Sequence, residues 1–294
     1  MKILIIGGSG LLGQYLNIEL SKNFDILTSY NKNTGNCKQF PNIKLNLTDF
    51  NSIKNTFETF RPDVVILTAA VSNPANANKL PEHDVYKINA EAPEYIAGLC
   101  EKSGSKLIYT STDLVYDGNG SGMLDENAPV NPVSIYAETK LIAEEKIKSV
   151  FNNWVILRTA LLYGLGLNHS TNHFTQMYFN LKKGIRVKLF SDQYRTPLAL
   201  HDAARMIKEI TEKDLTGLFN FGGRERLSRF KLGEILCNEM NCDKNLLVKI
   251  SMEDAGGFPK VKDVSMNSGK LNSHGIKAGS AKEAIRLILN NSLR

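Results

Sequence analysis

Tyr136 and Lys140 stand four positions apart in a stretch with helical character. On a helix this spacing places two side chains on the same face, one turn apart. A free phenol has a pKa of about 10 and donates a proton poorly at neutral pH, whereas a neighbouring ammonium stabilises the phenolate and lowers that pKa. The pair is therefore a candidate for proton transfer, although pairs with this spacing also arise by chance on helix surfaces.

Thr112 follows an apolar run, Lys106–Ser111, that has the character of a buried strand. Ligands of parallel α/β sheets bind at the carboxyl ends of the strands. The Thr112 hydroxyl is thus placed to hydrogen-bond a substrate carbonyl, although it would also serve to cap a turn. We expect Thr112, Tyr136 and Lys140 to form a catalytic set.

A glycine-rich loop, GGSGLLG, occupies positions 7 to 13, directly after an apolar run and before an amphipathic one. Gly7 permits a tight turn, Gly10 lets the backbone approach a pyrophosphate, and Gly13 lets the helix pack closely on the strand. The helix N-terminus offers free N–H groups and a positive dipole end to phosphates. The predicted dinucleotide contacts here are Gly7, Ser9, Gly10, Leu11, Leu12 and Gly13.

The end of the second predicted strand bears on the choice of cofactor. NAD sites usually carry Asp or Glu about 20 residues after the glycine loop, to hold the ribose 2′-hydroxyl. Here Asn31 and Lys32 occupy that place, and no acidic residue occurs between Asp25 and Asp49. Lys32 or Lys38 would pair with a 2′-phosphate, so NADP(H) is favoured, with NAD(H) as the alternative.

The elements that must position these residues alternate between apolar runs and amphipathic stretches with helical spacing. Predicted strands cover Lys2–Ile6, Asp25–Ser29, Asn42–Leu45, Val64–Ala69, Lys106–Ser111 and Trp154–Arg158. Predicted helices cover Leu12–Ser21, Ser52–Arg61, His83–Gly104 and Tyr136–Val150. The alternation predicts an α/β fold, a doubly wound parallel sheet of the Rossmann-like, NAD(P)-binding kind.

After Arg158 the alternation loosens, which favours a smaller C-terminal lobe for the substrate. We expect the NAD(P)-binding domain to cover residues 1–164, with 187–218 returning to it. Residues 165–186 and 219–294 then form the small lobe. The expected return rests on a predicted strand from Val187, a turn at Arg195 to Pro197, and a helix from about His201.

Composition limits the classes of protein that remain. The 294 residues are 42% apolar and 22% charged, and no segment has the ~20 unbroken apolar residues of a membrane helix, so we expect a soluble, cytoplasmic protein without a membrane partner. The formal charge of +6 favours anionic ligands, but the basic residues are scattered, which argues against nucleic acid. The four cysteines form no CxxC pair, so neither a metal site nor a disulfide framework is expected.

At these residues the chain resembles the extended short-chain dehydrogenase/reductase superfamily and, more narrowly, the dTDP-4-dehydrorhamnose reductase family. The resemblance covers nearly the whole length. Besides the glycine loop and the pair of Tyr136 and Lys140, it is carried by Leu67 to Ala70, Asn89 within Ile88 to Ala92, Ser111 to Gly118, and Arg158 with Thr159.

The resemblance implies further site residues. Tyr136 and Lys140 would also contact the cofactor, with Lys140 on the nicotinamide ribose. The other implied cofactor contacts are Asn46 and Leu47 at the adenine, Thr68, Ala69 and Ala70 at the ribose, and Asn89. The substrate contacts that we expect are Asp113, Val115, Tyr116, Asn172, Arg195 and Lys260.

Two departures from related families matter. Sugar-nucleotide dehydratases carry Thr-Asp-Glu where this chain has Leu114 after Thr112 and Asp113, so dehydration is not expected. The family's usual Arg-Pro near the nucleotide pocket is replaced by the segment Gly257 to Lys262, which puts the identity of the sugar or base in doubt.

The expected reaction is hydride transfer from NADPH to the keto carbon of a nucleotide-linked 4-keto-6-deoxy sugar, with protonation by Tyr136. Two alternatives stay open. One is a cofactor-binding regulatory subunit, because the same pattern resembles the methionine adenosyltransferase β subunit. The other is a nucleotide-sugar epimerase. The sequence also leaves open whether the chain is a homodimer.

Overall fold

The computed structural model describes residues 1–72, 74–254 and 260–292. Its strands, in chain order, are β1 (Lys2–Ile6), β2 (Asp25–Tyr30), β3 (Asn42–Lys44), β4 (Val64–Leu67), β5 (Lys106–Thr112), β6 (Trp154–Thr159), β7 (Leu162–Tyr163), β8 (Val187–Phe190), β9 (Tyr194–Arg195), β10 (Leu198–Ala199), β11 (Gly217–Phe221), β12 (Leu227–Ser228) and β13 (Leu247–Ile250).

Helices connect these strands and cover the faces of the sheet. They are α1 (Leu11–Leu20), α2 (Phe50–Phe60), α3 (Pro74–Ala77), α4 (Glu82–Tyr86), α5 (Ala92–Ser103), α6 (Ile135–Val150), α7 (His173–Lys182), α8 (Leu200–Glu212), α9 (Arg229–Met240), α10 (Gly269–Ser273) and α11 (Ala281–Ser292). None of the helices in the described part of the chain is long and apolar enough to cross a membrane.

Seven strands form the main sheet in the order β11-β6-β5-β4-β1-β2-β3, and every neighbouring pair is parallel. Strand β1 shows why: Ile3 and Ile5 belong to the core on one face, whereas Leu4 and Ile6 belong to the core on the other. A strand buried on both faces reads as a continuous apolar run, and helices must cover both sides. The predicted doubly wound, Rossmann-like fold is confirmed.

One predicted helix is interrupted. The stretch expected to be helical from His83 to Gly104 consists of α4, a π-helical turn at Lys87–Glu91, and α5. Pro93 stands in the first turn of α5 and has no N–H, so the carbonyl four residues earlier cannot be satisfied in the regular way. The wider turn places Asn89 in the protein interior, with 1% of its surface exposed.

The small lobe is built around a separate core. Strand β8 pairs with β13, and α7, α9 and α11 pack their apolar residues together around them. Val187 and Leu189 point into this core, so the strand lies in the small lobe although we expected residues 187–218 to return to the large domain. Helix α8 does return, because its buried face packs against α1.

The large sheet also takes residues that we expected in the small lobe. Strand β11 runs to Phe221 as its outermost strand, beside β6, and Leu271 of α10 joins the same core. Phe219 and Phe221 are almost fully buried, at 1% and 0% exposed, which explains why this strand belongs to the sheet. The chain therefore passes between the two lobes more often than the sequence suggested.

Candidate active site

The glycine loop connects β1 to α1 in the conformation that its glycines require. Gly7 has a φ of +101°, and a Cβ atom there would lie 2.6 Å from the backbone nitrogen of Ala69. A Cβ on Gly13 would lie 2.2 Å from the Gly7 carbonyl oxygen, so the first turn of the helix packs directly on the loop. Gly10 occupies the N-cap position of α1 without a side-chain cap, which leaves the N–H groups of this turn available to an anion.

Side chains from neighbouring strands fix this loop. The Ser29 hydroxyl accepts a hydrogen bond from the Gly7 N–H at 3.1 Å. The Thr68 hydroxyl donates to the carbonyls of Ile6 and Gly7, each at 3.3 Å. This geometry fits a dinucleotide pyrophosphate. The start of the helix offers backbone N–H groups, the glycines let the phosphates approach the backbone closely, and the loop is rigid. Ser9, Leu11 and Leu12 lie in the same turn, where their backbone would face it.

The remaining predicted cofactor contacts follow the ends of β2, β3 and β4. Asn31 and Lys32 are exposed at the end of β2. Asn46 is exposed after β3, where its Oδ1 accepts from the Thr48 N–H, and Leu47 beside it is buried. Thr68, Ala69 and Ala70 are half-buried after β4. These segments meet at the carboxyl edge of the sheet, around the glycine loop.

Asn89 plays a different part from the contact that we predicted. Its Oδ1 accepts from the Val71 N–H at 2.8 Å, and its Nδ2 donates to Thr139 Oγ1 at 3.2 Å. The amide thus joins the segment after β4 to helix α6. Asn89 positions the cofactor edge relative to the helix that carries Tyr136, rather than offering its own polar atoms to a ligand.

Thr112 and Tyr136 meet at the carboxyl end of β5. Helix α6 starts at Ile135, where Ser134 caps it by accepting from the Ala137 N–H at 3.3 Å. Burial raises the pKa of Tyr136 to about 12, and a hydrogen bond with Thr112 acts in the opposite direction. The phenol is therefore a neutral proton donor at physiological pH, next to the hydroxyl predicted to orient a carbonyl.

Lys140 lies one turn further along α6 and is 3% exposed. Burial lowers the pKa of Lys140 to about 7, while the charge of Glu144 acts to raise it. Its ammonium nitrogen lies 4.1 Å from the centroid of the Tyr109 ring, at a cation–π distance. The lysine is thus poised between its charged and neutral forms beside the predicted proton donor.

A buried ionic network behind Lys140 was not predicted. Glu144 is fully buried, accepts from Ser111 Oγ at 2.5 Å, and pairs with Arg158 through an Nη2–Oε2 contact of 2.9 Å. The Arg158 guanidinium also donates to the Tyr116 hydroxyl at 2.9 Å. The sequence held a usable signal: Glu144 continues the spacing of four from Tyr136 and Lys140, and Arg158 stands in an apolar strand.

Two of the predicted substrate contacts lie in the protein interior instead. Val115 is 0% exposed, and Tyr116 is 1% exposed. The Tyr116 hydroxyl donates to the Asn220 side chain at 3.1 Å and to the Asp125 carbonyl at 3.0 Å. Neither residue offers surface to a substrate in this structure, because the turn Asp113–Val115 directs both side chains below the site.

Asp113 and Arg195, two of the predicted substrate contacts, lie next to each other in the structure. The Arg195 Nε lies 3.6 Å from Asp113 Oδ2, and both side chains are nearly buried. Burial raises the pKa of Asp113 to about 6, although the nearby Arg195 lowers it. Arg229, at the start of α9, adds a second guanidinium, and burial lowers its pKa to about 10. No motif marked Arg229, which reaches this site only through the packing of the small lobe.

The last two substrate candidates, Asn172 and Lys260, have different surroundings. Asn172 caps α7 by accepting from the Thr175 N–H at 2.8 Å, and it lines a cavity together with His173 and Arg229. Burial lowers the pKa of His173 to about 4, so its imidazole is neutral at physiological pH. Lys260, by contrast, is exposed and forms an ion pair with Glu253. The neighbouring Gly257 to Pro259, where the family's Arg-Pro is replaced, lie outside the described residues.

The geometry thus places a proton donor, a hydroxyl and a lysine next to a cradle for a dinucleotide. Within the described ranges, no group of side chains could hold a metal ion. The arrangement suits the delivery of a proton to a carbonyl that receives a hydride from the cofactor.

Comparisons with known proteins find relatives that match this chain over nearly its whole length. The chain is 26% identical to the methionine adenosyltransferase 2 subunit beta of Danio rerio, over 97% of this chain and 89% of the relative. A dTDP-4-dehydrorhamnose reductase ortholog from Clostridium acetobutylicum superposes with a TM-score of 0.86 at 26% identity, covering 100% of both chains. The Bacillus anthracis dTDP-4-dehydrorhamnose reductase, solved in complex with NADP, gives 0.85 at 24% identity, covering 99% of both chains.

The family model described as the RmlD substrate binding domain matches residues 1–293, nearly the whole sequence. The match confirms the resemblance drawn from the motifs. This chain belongs to the RmlD substrate-binding domain family, within the extended short-chain dehydrogenase/reductase superfamily.

Proposed function

We propose that this chain reduces the keto group of a nucleotide-linked 4-keto-6-deoxy sugar, with NADPH as the favoured reductant and NADH as the alternative. The observation that carries the proposal is the convergence of Thr112, Tyr136 and Lys140 at the sheet edge that holds the glycine loop. The reductases among the relatives have the same fold over their full length.

Bound NADPH would supply the hydride to the keto carbon. Thr112 orients the carbonyl oxygen, and Tyr136 donates the proton that this oxygen takes up. Tyr136 holds that proton firmly because burial raises its pKa to about 12. A charged Lys140 beside it stabilises the phenolate that remains, which lowers the cost of proton transfer.

We assign Asp113, Arg195 and Arg229 to the polar side of the substrate pocket, because their charged groups lie close together. The two guanidiniums and one carboxylate leave one positive charge in excess. A nucleotide-linked sugar brings a diphosphate, and its negative charge would balance that excess.

Position 114 is a leucine packed against the apolar cores beside the site, so elimination of water has no carboxylate there to assist it.

The direct test measures the loss of NADPH absorbance with a panel of 4-keto-6-deoxy sugar nucleotides that differ in base. We expect turnover with at least one of them, faster with NADPH than with NADH. Replacement of Lys32 by alanine should weaken NADPH binding and leave NADH binding unchanged, because only NADPH carries the 2′-phosphate. No turnover with any member of the panel contradicts the proposal.

The beta-subunit relative supports a second candidate, a regulatory subunit that binds the cofactor without turnover. The intact set of Thr112, Tyr136 and Lys140 favours catalysis over this role. The regulatory candidate would be favoured if the protein copurifies with a methionine adenosyltransferase catalytic chain and shows no turnover with the keto-sugar panel. An epimerase would instead retain oxidised cofactor through purification, which the absorbance spectrum reveals.

We place the protein in the cytoplasm, where NADPH is available. The four cysteines support this placement, because all of them are free thiols in the structure and a reducing compartment keeps thiols free. The homodimer raised by the sequence is tested by light scattering. A mass near twice 32.7 kDa would support it, and a mass near 32.7 kDa would contradict it.

A further inference from the structure

Gln14 is buried in the first turn of α1, immediately after the glycine loop, with 0% of its surface exposed. A buried amide must find partners for both N–H groups and for its oxygen. Its Nε2 donates to the Ser9 carbonyl at 3.2 Å, within the glycine loop itself. The other partners of this amide lie more than 150 residues away along the chain.

Those distant partners belong to the segment 165–172, which leads from the main sheet into α7. The Gln14 Nε2 lies 3.1 Å from the Leu167 carbonyl and 2.7 Å from Ser170 Oγ. In return, the Gln14 Oε1 accepts from the Asn168 amide at 2.6 Å. One side chain therefore joins the glycine loop to the segment that ends at Asn172, a predicted substrate contact.

The segment 165–172 is folded tightly on itself. The Ser170 N–H donates to the Leu167 carbonyl at 2.9 Å, and Asn168 adopts a left-handed conformation with φ of +51°. Its contacts to α1 come from Gln14 and from the adjacent Tyr15, whose hydroxyl donates to the Leu165 carbonyl at 2.7 Å. Tyr15 makes a similar attachment without a bond to the glycine loop, which makes it a suitable control.

The far end of the segment is Asn172, one of the predicted substrate contacts, which lines a small cavity. Asn172 caps α7 and lines the cavity with His173 and Arg229, so the placement of residues 165–172 sets the position of this wall. A ligand that fixes the Ser9 backbone also fixes Gln14, and Gln14 then fixes the segment. Coupling of this kind is reciprocal, because each ligand favours the same arrangement.

We propose that Gln14 is a positioning residue that couples dinucleotide binding at the glycine loop to the ordering of residues 165–172 on the substrate side. The inference rests on the proposed function only for the identity of the two ligands. The coupling itself is a property of the hydrogen bonds around Gln14 and is measurable without turnover.

Hydrogen–deuterium exchange of the full-length protein tests the proposal. In the wild type, saturating NADPH should slow exchange in peptides that cover residues 165–172. In Gln14→Leu, which keeps the side-chain volume and removes its hydrogen bonds, that slowing should disappear while NADPH still raises the melting temperature. In Tyr15→Phe, exchange should be faster overall but still respond to NADPH.

Steady-state kinetics provide a second test of the coupling. Gln14→Leu should raise the KM for the sugar nucleotide about tenfold, with the KM for NADPH changed less than about threefold, since three of the four lost contacts lie on the substrate side and one lies at the Ser9 carbonyl. If Gln14→Leu does not fold, Ser170→Ala removes one of the three distant partners without altering α1 and should show a smaller loss of the NADPH response.

Two results overturn the inference: an unchanged NADPH response in Gln14→Leu, or an equal loss of that response in Tyr15→Phe. Failure of the proposed function looks different. In that case the wild type shows no turnover with the keto-sugar panel, whereas the exchange experiment still reports whether NADPH orders the segment.

Discussion

The ammonium of Lys140 stacks over the ring of Tyr109, with 4.1 Å between the nitrogen and the ring centroid. Tyr109 comes from β5, the strand that ends at Thr112, whereas Lys140 comes from the helix that carries Tyr136. The contact fixes helix α6 against strand β5 and keeps the buried cation on an electron-rich surface. The behaviour of the site therefore depends on residues from both elements.

Replacement of Tyr136 by phenylalanine should lower kcat by about 100-fold to 10,000-fold, the usual contribution of a positioned proton donor. NADPH binding should stay within about threefold of the wild type, because the glycine loop is untouched. Turnover is followed by NADPH absorbance and binding by fluorescence. Tyr95→Phe is the matched control, since Tyr95 stacks on Phe50 on the α2 and α5 side of the sheet. Wild-type turnover in Tyr136→Phe contradicts the mechanism.

The pH dependence should follow Lys140. Burial lowers the pKa of Lys140 to about 7, so the ammonium is charged below that pH and is lost as the pH rises through it. Since the charged form supports proton donation by Tyr136, kcat/KM for reduction should fall on the alkaline side of about pH 7.

A guanidinium does not titrate in this range, so Lys140→Arg should be slower overall and should lack the alkaline fall. Asp113, with a pKa of about 6, titrates on the acidic side, and Asp113→Asn should leave the alkaline fall in place. A wild-type profile that stays flat across about pH 6 to 9 would rule out a role for Lys140 ionisation.

Gly13→Ala should abolish NADPH binding or reduce it by at least about 100-fold, because the new Cβ would lie 2.2 Å from the Gly7 carbonyl oxygen and 2.7 Å from the Gly8 Cα. The control is Gly98→Ala in α5, where nothing lies within 4 Å of an added Cβ. That control should bind NADPH normally and gain about 0.5–1 kcal/mol in unfolding free energy. Fluorescence titration and urea denaturation measure both, and normal binding in Gly13→Ala would refute the role of the glycine loop.

Replacing only one member of the Glu144–Arg158 ion pair should lower the free energy of unfolding substantially. Arg158→Met leaves a buried carboxylate without its main partner and should reduce the unfolding free energy by about 3–5 kcal/mol. The double variant with Glu144→Gln should recover part of this loss, since the uncompensated charge is gone. Lys54→Met breaks an exposed pair with Glu58, at 56% and 62% exposed, and should change stability by less than about 1 kcal/mol. Equal effects of the buried and exposed variants in urea denaturation would contradict this account.

The sequence by itself determined the fold class and the elements of the first half of the chain, together with the candidate site residues that lie within one element. Continuous apolar runs such as Ile3–Ile6 specify strands buried on both faces, and the glycines at positions 7, 10 and 13 specify where a phosphate group approaches the backbone. The spacing of Tyr136 and Lys140 is likewise a local property of one helix. Local rules suffice in these cases because each signal lies within one element or one turn.

Only the tertiary structure decided which of the candidate substrate residues lie at the site and which lie in the core. Val115 and Tyr116 follow Thr112 by three and four positions, yet a short helical turn directs them into the core. Arg229 joins Asp113 and Arg195 because the small lobe packs α9 against that edge of the sheet, and Gln14 meets Ser170 across 156 positions of the chain. Such contacts depend on how separate elements pack together, and side-chain periodicity within one element carries no record of that packing.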